Sequence, residues 1–171
     1  AVKPGDPLSP STEMGCLSTR GQYDKVRGYI EIAQNEGARM VAGGDVPEEL
    51  SHGFFVRPTV FADVTPDMRI AQEEVFGPVL SVLKWSDYDS LIEAVNGVDY
   101  GLTASVWTRD ISQAMRAVDD ICAGYVWVNN SSDHFLGTPY GGMKQSGIGR
   151  EECLGEMLSY TEQKNVNITF E

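Results

Sequence analysis

A seven-residue stretch near the middle of the chain, residues 72–78, carries side chains that could bind a small polar ligand. The carboxylate of Glu74 offers two oxygens that can accept hydrogen bonds from two neighbouring hydroxyls, such as those of a ribose. Phe76 adds a flat apolar face, Gly77 lets the backbone turn, and Pro78 opens the next strand without needing an N–H donor. The same spacing also fits an acidic helix end followed by a buried phenylalanine.

Nucleophilic and metal-binding chemistry have weaker candidates. The chain has three cysteines, Cys16, Cys122 and Cys153, and none lies beside a histidine or a clear cationic group that would favour the reactive thiolate. We expect Cys122 to lie at the buried end of one helix and Cys153 to lie within another. No catalytic role is expected for any of the three cysteines. The alternative is that one of them is a nucleophile. His52 has no second ligand at metal-binding spacing, so no metal site is expected.

Composition excludes several classes of partner. The 171 residues include 13 basic and 25 acidic side chains, which gives a net charge of -12. Nucleic acids and anionic membranes bind basic surfaces, so neither is expected as a partner. The odd number of cysteines without repeated spacing fits a reducing compartment, and no apolar run is long enough to cross a bilayer. Because a signal peptide is also absent, the sequence predicts a cytoplasmic protein.

Helical periodicity predicts a first helix over residues 22–36. Its apolar positions recur at helical spacing and are Tyr23, Val26, Ile30 and Ala33. Gly37 is a natural stop. Gln22 and Lys25 stand three residues apart, on one side of the first turns. For Lys25, the alternative to a binding role is an ordinary solvated helix face.

Strands and helices then alternate, as is typical of α/β proteins. One strand is expected within residues 38–44, and an apolar run over 54–61 is interrupted by Pro58, which places that run at an edge or a bend. Three further strands are expected over 79–83, 103–108 and 125–128. Helical patterns after Ser86 and Asp110 separate these three strands, so two βαβ units would make them parallel neighbours, with the first buried on both faces. The second helix has an apolar stripe expected to face the sheet, formed by Ile111, Ala114, Met115, Val118 and Ile121.

A long loop over residues 129–140 follows the last of these strands, and an ordered loop of this length is usually functional. It contains Phe135 and ends at Tyr140. Aromatic walls suit an apolar or aromatic ligand, but both side chains could instead fill core behind the loop. A last helix is predicted over 151–160, and the alternating pattern over 166–170 predicts a half-buried strand able to extend a sheet in another molecule.

Two motifs identify a family. Residues 71–78, Ala-Gln-Glu-Glu-Val-Phe-Gly-Pro, resemble the cofactor-ribose motif of NAD(P)-dependent aldehyde dehydrogenases, and residues 138–151 resemble the C-terminal signature of the same family. The resemblance runs through nearly the whole chain but covers only roughly the last third of such an enzyme. It implies an α/β fold with a mainly parallel sheet of βαβ units and flanking helices, truncated at its N-terminal side. Residues 1–158 would belong to the catalytic domain, and residues 159–171 would form an oligomerisation strand.

The resemblance also implies roles for single residues. In the family, positions matching Glu74, Phe76, Gln22 and Lys25 contact or approach the cofactor's nicotinamide riboside, while positions near Phe135 and Tyr140 line the aldehyde channel. The family's nucleophilic cysteine, general-base glutamate and nucleotide-binding domain match positions upstream of residue 1.

We therefore expect a C-terminal portion of an enzyme that oxidises a small-molecule aldehyde to a carboxylic acid with NAD or NADP. By itself it would be inactive, and it would assemble as a homo-oligomer through its C-terminal strand. A non-catalytic scaffold or interaction domain with the same fold is the alternative.

Overall fold

The computed structural model of the protein describes residues 2–171, which form two compact units. The first ends at Tyr88 and the second begins at Asp89. Helices and strands alternate in both, so the chain is a mixed α/β protein. No helix among the described residues is long and apolar enough to cross a membrane. The predicted boundary between residues 158 and 159 stays a prediction.

The first unit is built on helix α1, Arg20–Asn35. Thr19 caps it, because its side-chain oxygen accepts a hydrogen bond from the backbone N–H of Gln22. The buried face consists of the four residues that the periodicity predicted, Tyr23, Val26, Ile30 and Ala33. They pack in one cluster with apolar residues that include Phe61, Val64 and Val75. Helical periodicity alone therefore identified the buried face of α1 correctly.

A three-stranded sheet completes the first unit, in the order β1 (Arg39–Ala42), β2 (Thr59–Ala62), β3 (Val79–Ser81). The β1 and β2 strands are antiparallel, whereas β2 and β3 are parallel. The expected edge position of the run containing Pro58 is wrong, since β2 is the central strand. Pro58 is tolerated because it precedes the strand, where its missing N–H removes no ladder hydrogen bond. A short 3-10 helix, Glu48–Leu50, and helix α2, Arg69–Gln72, lie in the connections.

The second unit contains two separate strand pairs. Strands β5 (Thr103–Val106) and β6 (Tyr125–Val128) are parallel and are joined by helix α4 (Ile111–Asp120), as predicted. Strands β4 (Tyr100–Gly101) and β7 (Met143–Lys144) form an antiparallel pair. Helix α3 (Tyr88–Asn96) precedes them, and α5 (Leu154–Ser159) follows. One of the two predicted βαβ units is therefore present in the described residues.

The prediction that three strands lie side by side is not confirmed for β3, which lies in the first unit and pairs with β2. The two strands are parallel, and Thr59 of β2 stands opposite Val79 of β3. The strand is also shorter than expected and is not buried on both faces, since Leu80 is 58% exposed. An apolar run alone does not predict which other strand it will pair with.

Helix α4 begins where it was predicted. The Asp110 side chain accepts hydrogen bonds from the backbone N–H groups of Ser112 at 2.8 Å and Gln113 at 3.2 Å. Within the predicted apolar stripe Ala114 is buried, Val118 and Ile121 are half-buried, and Ile111 and Met115 are exposed. The helix ends at Asp120, before Gly124.

The C-terminal tail carries no strand. Residues 166–170, for which a half-buried strand was predicted, lie outside every helix and strand and are exposed. A strand requires a neighbour that completes its hydrogen bonds, and no described residue of this chain does so. The predicted half-buried strand is thus not formed in the single chain, and its pairing with another molecule stays a prediction.

Candidate functional site

The turn that connects helix α2 to strand β3 presents two exposed side chains. Helix α2 ends at Gln72, so Glu74 lies outside the helix with its side chain exposed. Val75 points into the core, and Phe76 is 71% exposed. The alternative of an acidic helix end with a buried phenylalanine is therefore wrong. Phe76 also has a positive φ of 56°, which a residue with a side chain adopts only when its surroundings fix it.

Helix α1 holds this turn through backbone carbonyls. The side-chain amide of Gln22 donates hydrogen bonds to the carbonyl oxygens of Val75 at 3.0 Å and Phe76 at 2.7 Å. The Lys25 ammonium donates to the carbonyl oxygen of Glu74 at 2.9 Å. Three successive carbonyls are thus bound by two side chains from one helix face. Lys25 is exposed, as the solvated-face alternative has it, but its ammonium also contacts the turn.

Van der Waals contact brings the turn close to the same helix face. A Cβ atom built on Gly77 would lie 2.5 Å from Cγ2 of Val26, so only glycine allows this approach. Gln22, Lys25 and Val26 stand three and four residues apart, which places them on one side of α1. The position of the turn therefore follows from helical spacing.

A charged network that sequence reasoning missed holds the residue before Glu74. The Arg69 guanidinium donates two hydrogen bonds of 2.8 Å to the two carboxylate oxygens of Glu73. The Tyr29 hydroxyl donates a third, at 2.5 Å. Hydrogen bonds from Arg69 and then Tyr29 lower the pKa of Glu73 to about 2, and the bond to Glu73 raises the pKa of Tyr29. The four-residue spacing of Arg69 and Glu73 was visible in the sequence, but the contact with Tyr29 was not.

This network predicts a pH dependence of stability. Because folding lowers the pKa of Glu73 from about 4.5 to about 2, its contribution is complete above about pH 4.5 and is lost as the pH falls through about 2. We expect wild type to unfold at higher urea concentration than Glu73→Gln near neutral pH, and the difference to vanish as the pH approaches 2. Glu74→Gln is the matched control, expected to behave like wild type. A difference that persists unchanged at the acid end would contradict the assignment.

The carboxylate of Glu74 differs from that of Glu73, because it accepts no hydrogen bond from residues 2–171. It is an exposed acceptor on a turn whose backbone carbonyls are bound by side chains of α1. Such a carboxylate can receive two hydroxyl groups of a sugar, and the adjacent Phe76 ring offers an apolar face. The turn therefore has the groups of a ligand site that is preorganised before binding.

In the second unit, the loop over residues 129–140 places its two predicted aromatic residues differently. Phe135 is 59% exposed and borders a cavity of about 430 Å³ together with Tyr125 and Trp127, so the alternative that it fills core is wrong. Tyr140 borders another cavity, of about 320 Å³, and its ring packs 5.6 Å from that of Tyr125. Each of the two predicted side chains thus borders a cavity of its own.

A second group missed by sequence reasoning joins this aromatic cluster. His134 Nδ1 lies 2.8 Å from a carboxylate oxygen of Glu152, and its ring centroid lies 4.5 Å from that of Tyr140. Glu152 has a positive φ of 61°. The two partners are 18 residues apart in an irregular part of the chain, so no local pattern could have paired them.

The cysteines differ in part from expectation. Cys122 is exposed at the surface, because helix α4 ends before it, and Cys153 precedes helix α5 instead of lying within it. Cys16 is exposed and borders a cavity of about 270 Å³ with Gly77 and Pro78. All three thiols are free.

Comparison with known proteins relates the whole chain to one group of enzymes. A model of the aldehyde dehydrogenase family matches residues 1–166. The chain is 52% identical over 171 residues to an aldehyde dehydrogenase from Talaromyces stipitatus, covering 97% of this chain and 33% of that protein. It is 44% identical over 169 residues to a betaine aldehyde dehydrogenase from Mesorhizobium japonicum, covering 98% of this chain and 35% of that protein.

Solved structures agree with the sequence match. Mycobacterium tuberculosis aldehyde dehydrogenase complexed with NAD+ superimposes with a TM-score of 0.90 at 42% identity, over 96% of this chain and 34% of that one. A mutant of the P. syringae indole-3-acetaldehyde dehydrogenase in complex with NAD+ and IAA gives a TM-score of 0.89 at 44% identity, over 95% and 33%. The chain spans about a third of the length of these proteins. On the family match and these relatives, the chain belongs to the aldehyde dehydrogenase family.

Proposed function

We propose that the chain provides the nicotinamide-ribose site and part of the aldehyde channel of an enzyme that oxidises an aldehyde to a carboxylic acid with NAD or NADP. The observation that carries this proposal is the Glu74 turn. Its carboxylate accepts no hydrogen bond from residues 2–171, while Gln22 and Lys25 bind the backbone carbonyls of residues 74–76, and Phe76 has a positive φ. A Glu74 carboxylate on a turn held in this way is suited to accept hydrogen bonds from two hydroxyl groups of a ligand.

The described residues fit a nicotinamide riboside group chemically. Glu74 would receive the ribose hydroxyls, and the exposed Phe76 ring would pack near the nicotinamide. Gln22 and Lys25 would keep the turn in position, and the Lys25 ammonium has further N–H donors for a ligand oxygen. The NAD+ complexes formed by the M. tuberculosis and P. syringae proteins support the choice of cofactor. When bound, this cofactor supplies the acceptor for the hydride that leaves the aldehyde carbon.

The test is a binding comparison on the 171-residue chain. Wild type is expected to bind nicotinamide riboside more tightly than nicotinamide, and Glu74→Gln to lose roughly tenfold for the riboside alone, since hydrogen bonds to a charged group contribute about 1.5–3 kcal/mol. Chemical-shift titration of the Phe76 and Gly77 amides would measure both ligands. Glu49→Gln, an exposed carboxylate in the 3-10 helix, is the matched control. Equal riboside affinity in Glu74→Gln and wild type would overturn the assignment.

The second unit would contribute the wall of the aldehyde channel through Phe135 and Tyr140. Phe135 borders the 430 Å³ cavity and is exposed to a ligand there. Tyr140 would contribute indirectly, because its ring packs against those of Tyr125 and His134. A cavity of this size lies within the range of small-molecule sites. Tyr125 and Trp127 also border it, which favours an aldehyde with an apolar or aromatic group.

None of the thiols is proposed as the nucleophile. Cys16, Cys122 and Cys153 form no hydrogen bond or ion pair with a basic side chain among residues 2–171, and an activated thiolate needs such a neighbour. The 171-residue chain, given NAD, a reductant and a panel of aliphatic and aromatic aldehydes, is therefore expected to form no NADH at 340 nm. Turnover that disappears when one of the three cysteines becomes serine would show that a thiol of this chain is catalytic.

We also propose that residues 159–171 pair with another copy of the chain, in a cytoplasmic homo-oligomer. Val166, Ile168 and Phe170 are exposed apolar side chains at alternating positions, which is the pattern of a strand that lacks its neighbour. The three free thiols fit a reducing compartment.

A further inference from the structure

His134 is the polar member of an otherwise aromatic group in the second unit. Its ring lies 4.5 Å from Tyr140, 5.9 Å from Tyr125 and 6.1 Å from Trp127, measured between centroids. The Tyr125 and Tyr140 rings are inclined to it by only 25° and 31°. Rings on several sides limit rotation of the imidazole, which nevertheless remains 34% exposed. The imidazole is thus held at the edge of the cluster where a ligand can reach it.

Glu152 fixes which nitrogen of His134 carries the proton. Its Oε1 lies 2.8 Å from Nδ1, while its Oε2 is buried without a hydrogen-bond partner among residues 2–171. Nδ1 of His134 must therefore carry a proton and donate it to Oε1 of Glu152. If Nδ1 were unprotonated, its lone pair would face a lone pair of the carboxylate oxygen, and the two would repel each other. In the neutral imidazole the proton therefore resides on Nδ1, and Nε2 is left as an acceptor.

Glu152 is itself held in place by the backbone. Its own N–H donates to Oε2 of Glu156 at 2.6 Å, and its carbonyl oxygen accepts from the N–H of Gly137 at 2.9 Å. Its positive φ of 61° shows that this arrangement is imposed by the surroundings. Nε2 of His134 makes no hydrogen bond with any residue from 2 to 171. Nε2 of His134 is thus a hydrogen-bond acceptor with a fixed orientation and no partner among residues 2–171.

We propose that His134 is a specificity-determining residue, whose Nε2 accepts a hydrogen bond from the hydroxyl group of an aromatic aldehyde. Tyr125 and Trp127, whose rings contact His134, also border the cavity of about 430 Å³, so an aromatic ring bound there would share these two neighbours with the imidazole. Phe135, the next residue in the chain, adds an exposed apolar wall. This inference rests on the proposed role of the loop in binding the aldehyde. It adds the substrate class, an aromatic aldehyde with a ring hydroxyl.

The test uses benzamide and 4-hydroxybenzamide as unreactive analogues of the two aldehydes. Binding to the full chain is followed by the shift of the Trp127 indole N–H resonance. Wild type is expected to bind the hydroxylated analogue roughly tenfold more tightly, the value of one well-formed hydrogen bond in a cavity. His134→Phe keeps an aromatic ring but removes Nε2, so it is expected to bind both analogues with the affinity that wild type has for benzamide.

A second measurement needs no variant. The nitrogen shifts of the His134 imidazole in wild type are expected to show the proton on Nδ1, and a proton on Nε2 would overturn the inference. Equal binding of both analogues by wild type would also overturn it, while leaving the cavity as an aldehyde site. Binding of neither analogue would overturn the proposed channel wall as well. A hydroxyl preference retained in His134→Phe would assign the acceptor to another group.

Discussion

Replacing Gly124 with alanine is expected to destabilise the second unit by at least about 3 kcal/mol, the scale of severe overpacking. A Cβ atom at this position would lie 1.8 Å from the carbonyl oxygen of Gly141 and 2.8 Å from its carbonyl carbon. Both are backbone atoms, so no side-chain rotation can relieve the clash. Strand β6 begins at the next residue, and its displacement would disturb the aromatic cluster that Tyr125 anchors.

Urea unfolding followed by tryptophan fluorescence would measure this effect, since Trp127 lies in β6. Gly149→Ala is the matched control within the same unit, because a Cβ atom there meets nothing within 4 Å. We expect its unfolding midpoint to stay close to that of wild type. If Gly124→Ala also unfolded at the wild-type midpoint, the close approach of the two glycine segments would be wrong.

Gln22→Glu is expected to weaken nicotinamide riboside binding by roughly thirtyfold, corresponding to about 2 kcal/mol. The change removes both N–H donors that hold the carbonyl oxygens of Val75 and Phe76, and each such bond contributes about 1 kcal/mol. It also places a carboxylate against those two oxygens, which repels the turn. Phe76 would then leave its positive φ, and Glu74 would lose its fixed position.

The same change should partly support the helix. A glutamate three residues after the Thr19 cap can reach back to the Thr19 N–H, which is the arrangement of a capping box. A small change in unfolding free energy together with a large loss of riboside affinity would therefore separate positioning from folding. Gln34→Glu, an exposed position near the other end of α1, is the control and should leave both quantities unchanged. Unaltered riboside affinity in Gln22→Glu would show that the turn does not depend on α1.

Local pattern was sufficient wherever neighbours in sequence are also neighbours in space. The buried face of α1 followed from helical spacing, and the start of α4 followed from Asp110, whose side chain reaches N–H groups only two and three residues away. The family was also evident from two continuous motifs. The Glu74 turn was identified in this way, although the sequence left the exposure of Phe76 undecided.

What the tertiary structure alone decided are the contacts between distant segments. Tyr29 meets Glu73 across 44 residues, and His134 meets Glu152 across 18, within parts of the chain whose relative position no periodicity encodes. The pairing of β3 with β2 belongs to the same class, because any strand can satisfy the backbone donors and acceptors of another. Sequence by itself therefore determined the buried face of α1, the start of α4 and the family. Packing decided which side chains hold the Glu74 turn and which nitrogen of His134 lies against Glu152, since both depend on atoms that only the folded chain brings together.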